Sequence, residues 1–326
     1  LIGSTLSHYR IIDRLGGGGM GVVYKALDLK LDRPVALKFL AGQRGSSEEH
    51  KRRFLREARA ASALDHPNVC TVYEIDETAD GALFIVMAYC EGETLRARLD
   101  RGPLPIGEAV GIARQIAAGL ARAHERGIIH RDVKPGNAML TPGAPSGGTV
   151  KLVDFGIAKL ADQSRLTRTG KAVGTAAYMS PEQFHGAPAD PRIDVWSLGV
   201  VLYEMVTGRL PFAAADEKQM VRAILGRAPL PMAALRPGVP PALERVVERA
   251  LAKAPADRYP RIEAMRADLA DVAETLAPSR LPDEGSTLFD LPLLSPLLAE
   301  PAAVPPAGPA SAAVSATASA APSQDA

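Results

Sequence analysis

The chain is poor in cysteine: Cys70 and Cys90 are its only two, well separated and without metal-ligand spacing. That argues against a disulfide framework and points to a reducing compartment. An excess of charge is also missing, with 38 Lys+Arg against 37 Asp+Glu and a formal net charge of +1, which speaks against a nucleic-acid footprint or a polyacidic partner. No apolar run reaches the ~18–20 residues needed to cross a bilayer. No charged-then-apolar leader opens the chain, and no internal repeat is visible. Leu1 in place of Met lets the sequence be read as a piece of a longer one. As given, a soluble cytoplasmic chain is expected. What is present suits one large or two intimate domains: 326 residues, 47% of them hydrophobic.

The first part reads as strands. From Tyr9 to about Leu40 short β-rich runs are broken by glycines, Val22-Val23-Tyr24 and Val35-Ala36-Leu37-Lys38-Phe39 being separated by a polar turn around Asp32-Arg33-Pro34. Ser46 three residues before Glu49 has capping-box spacing, so a charged helix is expected from about Glu48 to Leu64, ending before His66-Pro67. Strands return at Thr71–Ile75 and Leu83–Ala88, with Asp80-Gly81 as their hairpin turn. Beyond Cys90 helix dominates. Ile106, Val110, Ala113, Ala117 and Leu120 share one face of a helix closed by Gly127. Asp194–Thr207 is apolar nearly all round, as in a helix running through a core, and helices at about Pro241–Ala254 and Arg261–Thr275 end the globule. Residues 301–326 are almost all Ala, Pro and Ser, a composition too poor in buriable surface to fold. The apolar patch Leu288–Leu298 is too short and Pro-broken to span a membrane and reads as a loosely packed domain end rather than a docking segment.

Chemistry enters at Gly16, Gly18 and Gly21, a G-x-G-x-x-G pattern whose glycines let backbone N–H groups approach phosphate oxygens. The dinucleotide fingerprint shares this spacing but needs a helix at its third glycine. Here Val22-Val23-Tyr24 continues as strand, so the loop reads as a hairpin lid over a nucleotide; an ordinary flexible turn is the bland alternative. Lys38, on an alternating strand, can reach nucleotide α- and β-phosphates, with Glu57 on the next helix as the carboxylate that holds it. Read singly, Lys38 would be a surface lysine; strand, glycine loop and acidic helix together weaken that reading.

His130-Arg131-Asp132-Val133-Lys134-Pro135-Gly136-Asn137 is the most informative stretch. With Gly16–Val23, Lys38, Glu57, Asp154-Phe155-Gly156, Ser180-Pro181-Glu182, Asp194 and Arg258 in order, the chain from about Tyr9 to Thr275 resembles the eukaryotic-type (Hanks-type) protein kinases, especially their bacterial serine/threonine members. The resemblance implies an α+β bilobal fold: residues 1–87 as a lobe of antiparallel sheet plus one helix, 88–276 as a mainly helical lobe, and 277–326 as a disordered tail or linker. It implies transfer of the γ-phosphoryl group of ATP to Ser/Thr hydroxyls of proteins. Such transfer gathers negative charge, so catalysis is mostly positioning and electrostatic stabilisation. Asp132 would orient the acceptor hydroxyl and take its proton, Lys134 would steady the γ-phosphate, and Asn137 and Asp154 would hold Mg²⁺ (or Mn²⁺) through oxygen. Phe155 would set the direction of Asp154, and His130 would be core packing with no acid–base role. Lys134, two residues after Asp132, marks Ser/Thr rather than tyrosine specificity among the relatives.

The resemblance also implies an ATP pocket of Leu15, Gly16, Gly17, Gly18, Gly19, Gly21, Val23, Ala36, Lys38 and Met139, with Met87 as gatekeeper and Ala88-Tyr89-Cys90 as the hinge that meets adenine. Met139 alone would be read as plain core, and Ala88 departs from the relatives' frequent Glu. Thr167 and Thr169, flanked by cations on an activation loop running to Glu182, are the implied autophosphorylation sites, with ordinary loop threonines as the bland reading. Arg131 is the implied phosphate receptor. Thr175 would bond Asp132 and Lys134, Glu182 would pair with Arg258 as a structural ion pair, and Asp194 would be structural. Thr141–Thr149 is long for its hairpin and is expected to be a surface loop that leaves the metal site unchanged. Expected partners are protein substrates, ATP and a second copy for trans-autophosphorylation. A membrane anchor beyond the tail fits the bacterial relatives. Two other readings were weighed: intact Lys38, Asp132, Asn137 and Asp154 argue against a nucleotide-binding scaffold, and Ser180-Pro181-Glu182 with Asp194 against a small-molecule phosphotransferase.

Overall fold

Alternation in β-branched and aromatic residues builds the first part of the chain. A computed structural model describes residues 1–18, 21–40, 48–78, 81–142, 148–155, 176–214 and 216–276. Leu1–Pro278 form one compact unit; Ser279–Ala326, with the Leu288–Leu298 patch and the Ala/Pro/Ser segment, lie outside the described residues. Strands β1 (Thr5–Leu6), β2 (Tyr9–Gly18), β3 (Gly21–Asp28), β4 (Arg33–Leu40), β5 (Val72–Glu77) and β6 (Leu83–Ala88) form an antiparallel six-stranded sheet in the order β1-β2-β3-β4-β6-β5. Because side chains alternate along a strand, Val35 and Leu37 of β4 join Tyr9, Ile11, Ala26, Phe84 and Val86 on one face. Ala36 joins Cys70, Ile85 and Met87 on the other, which helix α1 (Glu48–Ser62) covers with Ala58. The end of α1 is tightened by i→i+3 bonds from Ala63 and Leu64, so regular helix stops two residues short of Leu64. Ser46, the expected cap of α1, and Asp80 lie outside the described residues.

A second, three-stranded sheet of β7 (Glu93–Thr94), β8 (Ala138–Thr141) and β9 (Thr149–Leu152) follows. Thr141 pairs with Thr149, so the long insertion is a hairpin connection whose residues 143–147 are not described. β7 leads directly into α2 (Leu95–Leu99), capped by the Thr94 hydroxyl, which accepts from Ala97 N. Helix α3 (Ile106–His124) buries the expected apolar face, Val110, Ala113, Ala117 and Leu120 all being fully buried. After the short α4 (Pro181–Phe184), helix α5 (Arg192–Thr207) is buried on every side from Ile193 to Val206, and it begins two residues earlier than expected, directly after Pro191. Trp196 of α5 stacks on Phe212 at 5.5 Å, with the Lys253 ammonium 5.0 Å and the Arg258 guanidinium 4.9 Å from its ring centre.

Helices α6 (Glu217–Gly226), α7 (Met232–Leu235), α8 (Pro241–Ala250) and α9 (Ile262–Leu276) complete the helical part. α8 stops at Ala250, short of the expected Ala254, because Pro255 excludes the helical conformation at the residue before it. Ala254 is accordingly extended, with ψ 130°, and a 3-10 turn, Pro255–Asp257, takes over. Among the described residues no helix is long and apolar enough to cross a membrane.

Candidate active site

The loop from His130 to Asn137 has almost no regular structure of its own and is held from below. Asp194, fully buried in the first turn of α5, accepts from the backbone N–H of both His130 and Arg131 at 2.8 Å, and its Oδ2 lies 2.8 Å from His124 Nε2. These bonds pin Arg131 in a left-handed conformation, φ +60°, that a residue with a side chain adopts at a cost. His130 is fully buried with its ring 4.6 Å from that of Phe155. Its Nδ1 accepts from Asp132 N and its Nε2 donates to Val153 O at 3.2 Å, a neutral tautomer. Burial depresses its pKa, against the pull of Asp194 and Asp132, in agreement with that tautomer.

Around Asp132 the side chains converge. Lys134 Nζ donates to Asp132 Oδ2 at 2.9 Å. Asn137 Nδ2 donates to the same oxygen at 3.0 Å and to the Asp132 carbonyl at 2.9 Å. The amide nitrogen of Asn137 is thereby spent inward, and its Oδ1 remains as an acceptor. The 3-10 turn Pro135–Asn137 sets this direction, and Asn137 O accepts from Val153 N at 2.9 Å, which ties the loop to the residue preceding Asp154. Asp154 is itself left-handed, φ +61°, and its Oδ1 meets Lys38 Nζ at 2.7 Å. Lys38, on the sheet, is only 6% exposed and Asp154 is half-buried, so this ion pair ties the sheet to the segment that follows β9. The expected partner Glu57 lies in α1 with its side chain outside the described residues.

In the larger sheet, Gly16, Gly17 and Gly18 pair with Val23, Val22 and Gly21, a hairpin with strand on both sides of its turn; no helix opens at Gly21, whose φ is +132°. Gly19 lies outside the described residues, and Leu15 is 45% exposed. One apolar cluster gathers Ala36, Met87, Val23, Ala88 and Cys90 from the expected adenine pocket. Met139 is not part of that cluster; it pairs with Thr94 and Lys151 in the smaller sheet. Tyr89 carries the Lys25 ammonium 4.3 Å above its ring. Just beyond the hinge, Gly92 has φ +126°, and a Cβ there would lie 2.0 Å from Leu140 O, a position no other residue can occupy without moving β8.

Thr167, Thr169 and Thr175 lie outside the described residues. Glu182 accepts from Arg258 Nη1 at 2.7 Å and Nη2 at 2.8 Å, a bidentate pair in which Arg258 is 1% exposed. Among the described residues no three His, Cys, Asp or Glu side chains gather as a metal cluster. Sequence reasoning did not find several contributors. Cys70, Val72 and Val153 complete the apolar cluster. His124 meets Asp194, and Glu204 bridges Tyr178 Oη at 2.6 Å and Arg96 Nη1 at 2.7 Å. None of these has a local motif; only an unpaired charge such as Glu204 in an otherwise apolar helix was a signal.

A family model described as "Protein kinase domain" matches residues 9–269. The chain is 41% identical over 304 residues to the serine/threonine-protein kinase pkn3 of Myxococcus xanthus, covering 89% of this chain and 56% of that protein. It is 43% identical over 274 residues to PknL of Mycobacterium tuberculosis, covering 83% and 67%. With PrkC of Bacillus subtilis it shares 41% over 272 residues, 82% of this chain and 41% of the relative, so it spans about half the length of the curated relatives it matches. The crystal structure of the Mycobacterium tuberculosis PknI kinase domain superposes with a TM-score of 0.67 at 31% identity, covering 84% of this chain and 99% of that one.

Proposed function

Since the chain belongs to the protein kinase family and has its fold, a lobe of antiparallel sheet and a helical lobe, we propose that it transfers the γ-phosphoryl group of Mg-ATP to serine and threonine hydroxyls of other proteins. The names of its relatives support the acceptor class. The observation that carries the reading is the bonding of Lys134 and Asn137 to Asp132 and of Lys38 to Asp154, the two groups tied through the backbone where Val153 N donates to Asn137 O. In this reading the two carboxylates, the two ammonium groups and the Asn137 amide serve one nucleotide covered by the glycine hairpin.

The residues fit a magnesium ion. Asn137 Oδ1 and the Asp154 carboxylate are hard oxygen donors, and Mg²⁺ is commonly held by one or two such groups together with phosphate oxygens. When bound, the ion would neutralise charge on the phosphates. The chain itself does the positioning. Asp132, fixed from two sides by Lys134 and Asn137, orients the acceptor hydroxyl and takes its proton at a carboxylate oxygen. Lys134 stands by the transferred group as its charge spreads. Lys38 contributes its ammonium to the α- and β-phosphates, and its contact with Asp154 supports a position near the metal. Val23, Ala36, Met87 and Ala88 receive the adenine, with backbone groups of Ala88 to Cys90 reading its edge.

The lobe boundaries at 87/88 and 276/277, and phosphorylation of Thr167 and Thr169 between two copies with Arg131 receiving the phosphate, belong to the same proposal. The test is transfer from γ-labelled ATP to myelin basic protein. Asp132→Asn and Lys38→Met should each abolish labelling, in folded protein with an unchanged circular dichroism spectrum. Labelling that persists in either variant refutes the site. Peptide mapping against the Asp132→Asn control identifies the phosphorylated threonines.

A further inference from the structure

The two thiols that are distant in sequence meet in space, with Cys90 Sγ 3.7 Å from Cys70 Sγ. Both are free. Cys70 sits on a pinned backbone, its N–H donating to Leu152 O at 2.8 Å beside the Val69–Leu152 bridge to β9. Cys90 lies two residues past the end of β6, in the connection leading to β7. Both sulfurs approach the Ala88 carbonyl, at 3.4 and 3.8 Å. They differ in access: Cys70 is 6% exposed, whereas Cys90 is partly open to solvent.

We propose that Cys70 and Cys90 are an oxidisable pair which hydrogen peroxide closes into a reversible intramolecular disulfide, and that closure weakens nucleotide binding. Cys90 is the attacking thiol. Its thiolate attacks a peroxide oxygen, the O–O bond breaks, Cys90 becomes a sulfenic acid, and the departing hydroxide is protonated to water. The Cys70 sulfur then attacks the Cys90 sulfur, the S–O bond breaks as S–S forms, and the leaving hydroxide takes the Cys70 proton as a second water. Peroxide gains two electrons and the thiols lose them. The electrostatics agree with this division of roles. The hydrogen bond between the two sulfurs and the Lys151 ammonium, against burial, hold Cys90 down to about 7, while the same bond and burial push the Cys70 thiol up.

Closure requires the sulfurs to approach to about 2.05 Å. With Cys70 pinned by Leu152, Cys90 has to move. It shares its apolar cluster with Met87, Ala36 and Ala88, the wall assigned to adenine, so the effect on binding rests on the proposed nucleotide site.

The experiment treats the reduced full chain with peroxide at two protein concentrations, then alkylates remaining thiols and measures intact mass and peptides, with Mg-ADP affinity measured in parallel. The expected result is a species lighter by two hydrogens, unalkylated, containing a Cys70–Cys90 linked peptide. It forms at a rate independent of protein concentration, binds Mg-ADP roughly tenfold more weakly, and is restored by dithiothreitol. Cys70→Val and Cys70→Ala should stop at a Cys90 sulfenic acid with no linked peptide. No intramolecular linkage, in a chain that transfers phosphate when reduced, overturns the inference and leaves the kinase reading intact. Linkage with unchanged Mg-ADP affinity overturns the coupling to nucleotide. Linkage in a chain that transfers nothing when reduced supports the thiol pair and strikes only at the kinase reading.

Discussion

Glu182 and Arg258 make the pair most exposed to a single substitution. Arg258 is buried and also donates to the carbonyls of Ala252 and Lys253, so removing the carboxylate strands a cation without access to water. Breaking such a pair costs about 3 kcal/mol. Glu182→Gln should therefore unfold at visibly lower urea concentration at pH 7. The sign with pH follows from the carboxyl. Burial pulls its pKa up, but the Arg258 bond, its backbone bond and the Ser180 hydroxyl outweigh burial and leave it below the ordinary 4.5. A depressed acid stabilises the fold above its unfolded pKa and loses that contribution as pH falls through the folded value. The stability gap between the parent and Glu182→Gln should thus shrink below pH 4.5, measured by denaturant titration at stepped pH; a gap that stays constant would refute the assignment. At this scale the sequence was most readable where chemistry demands a residue type. Asp132, Lys134 and Asn137 lie within one short segment, and their mutual bonds follow from that spacing. Cys70 beside Cys90 was not readable, since their contact depends on how β6 exits the sheet.

At the scale of elements, the catalytic loop is suspended from helix α5. Asp194 accepts from two backbone donors of the loop, and its place in the first helical turn favours its negative charge. Asp194→Ala takes this acceptor away from both N–H groups, at about 3 kcal/mol in total, and frees Arg131 from its left-handed conformation. Turnover should drop at least tenfold with KM for ATP nearly unchanged, since the nucleotide pocket stands on other elements. Steady-state kinetics with varied ATP reads the split; equal effects on kcat and KM would contradict a positioning role. Gly92 offers a second test. A Cβ there meets Leu140 O, so Gly92→Ala should lower the melting temperature by several degrees, about 1–3 kcal/mol of backbone strain, read by thermal denaturation. The period of the apolar residues made α3 and α5 legible, because each must bury a face or a whole surface. The short helices α2, α4 and α7 were not foreseen. They contain too few turns for a periodic signal, and their existence is decided by caps and neighbours.

For the whole molecule, the contact between Lys38 and Asp154 ties the larger sheet to the segment that follows β9, and on the proposed function a metal-bound nucleotide sits beside it. A ligand bound only by the folded chain stabilises it by about 2.7 kcal/mol at a hundredfold excess over Kd. Mg-ADP should accordingly raise the melting temperature, and chelation of the metal should remove most of that rise; an equal rise with and without metal would argue against Asn137 and Asp154 as ligands. The bilobal plan was legible because the change from alternating to helical periodicity falls near Cys90.

Trp196 is the only tryptophan, and it is buried in the helical part, stacked on Phe212 with two cations near its ring. Intrinsic emission excited at the indole band is therefore a one-sided reporter. It follows the collapse or opening of the helical half and is blind to the sheet, whose own melting must be watched through the amide signal. Any denaturation curve in which the two optical probes diverge would disclose that the halves come apart in sequence rather than as one cooperative block.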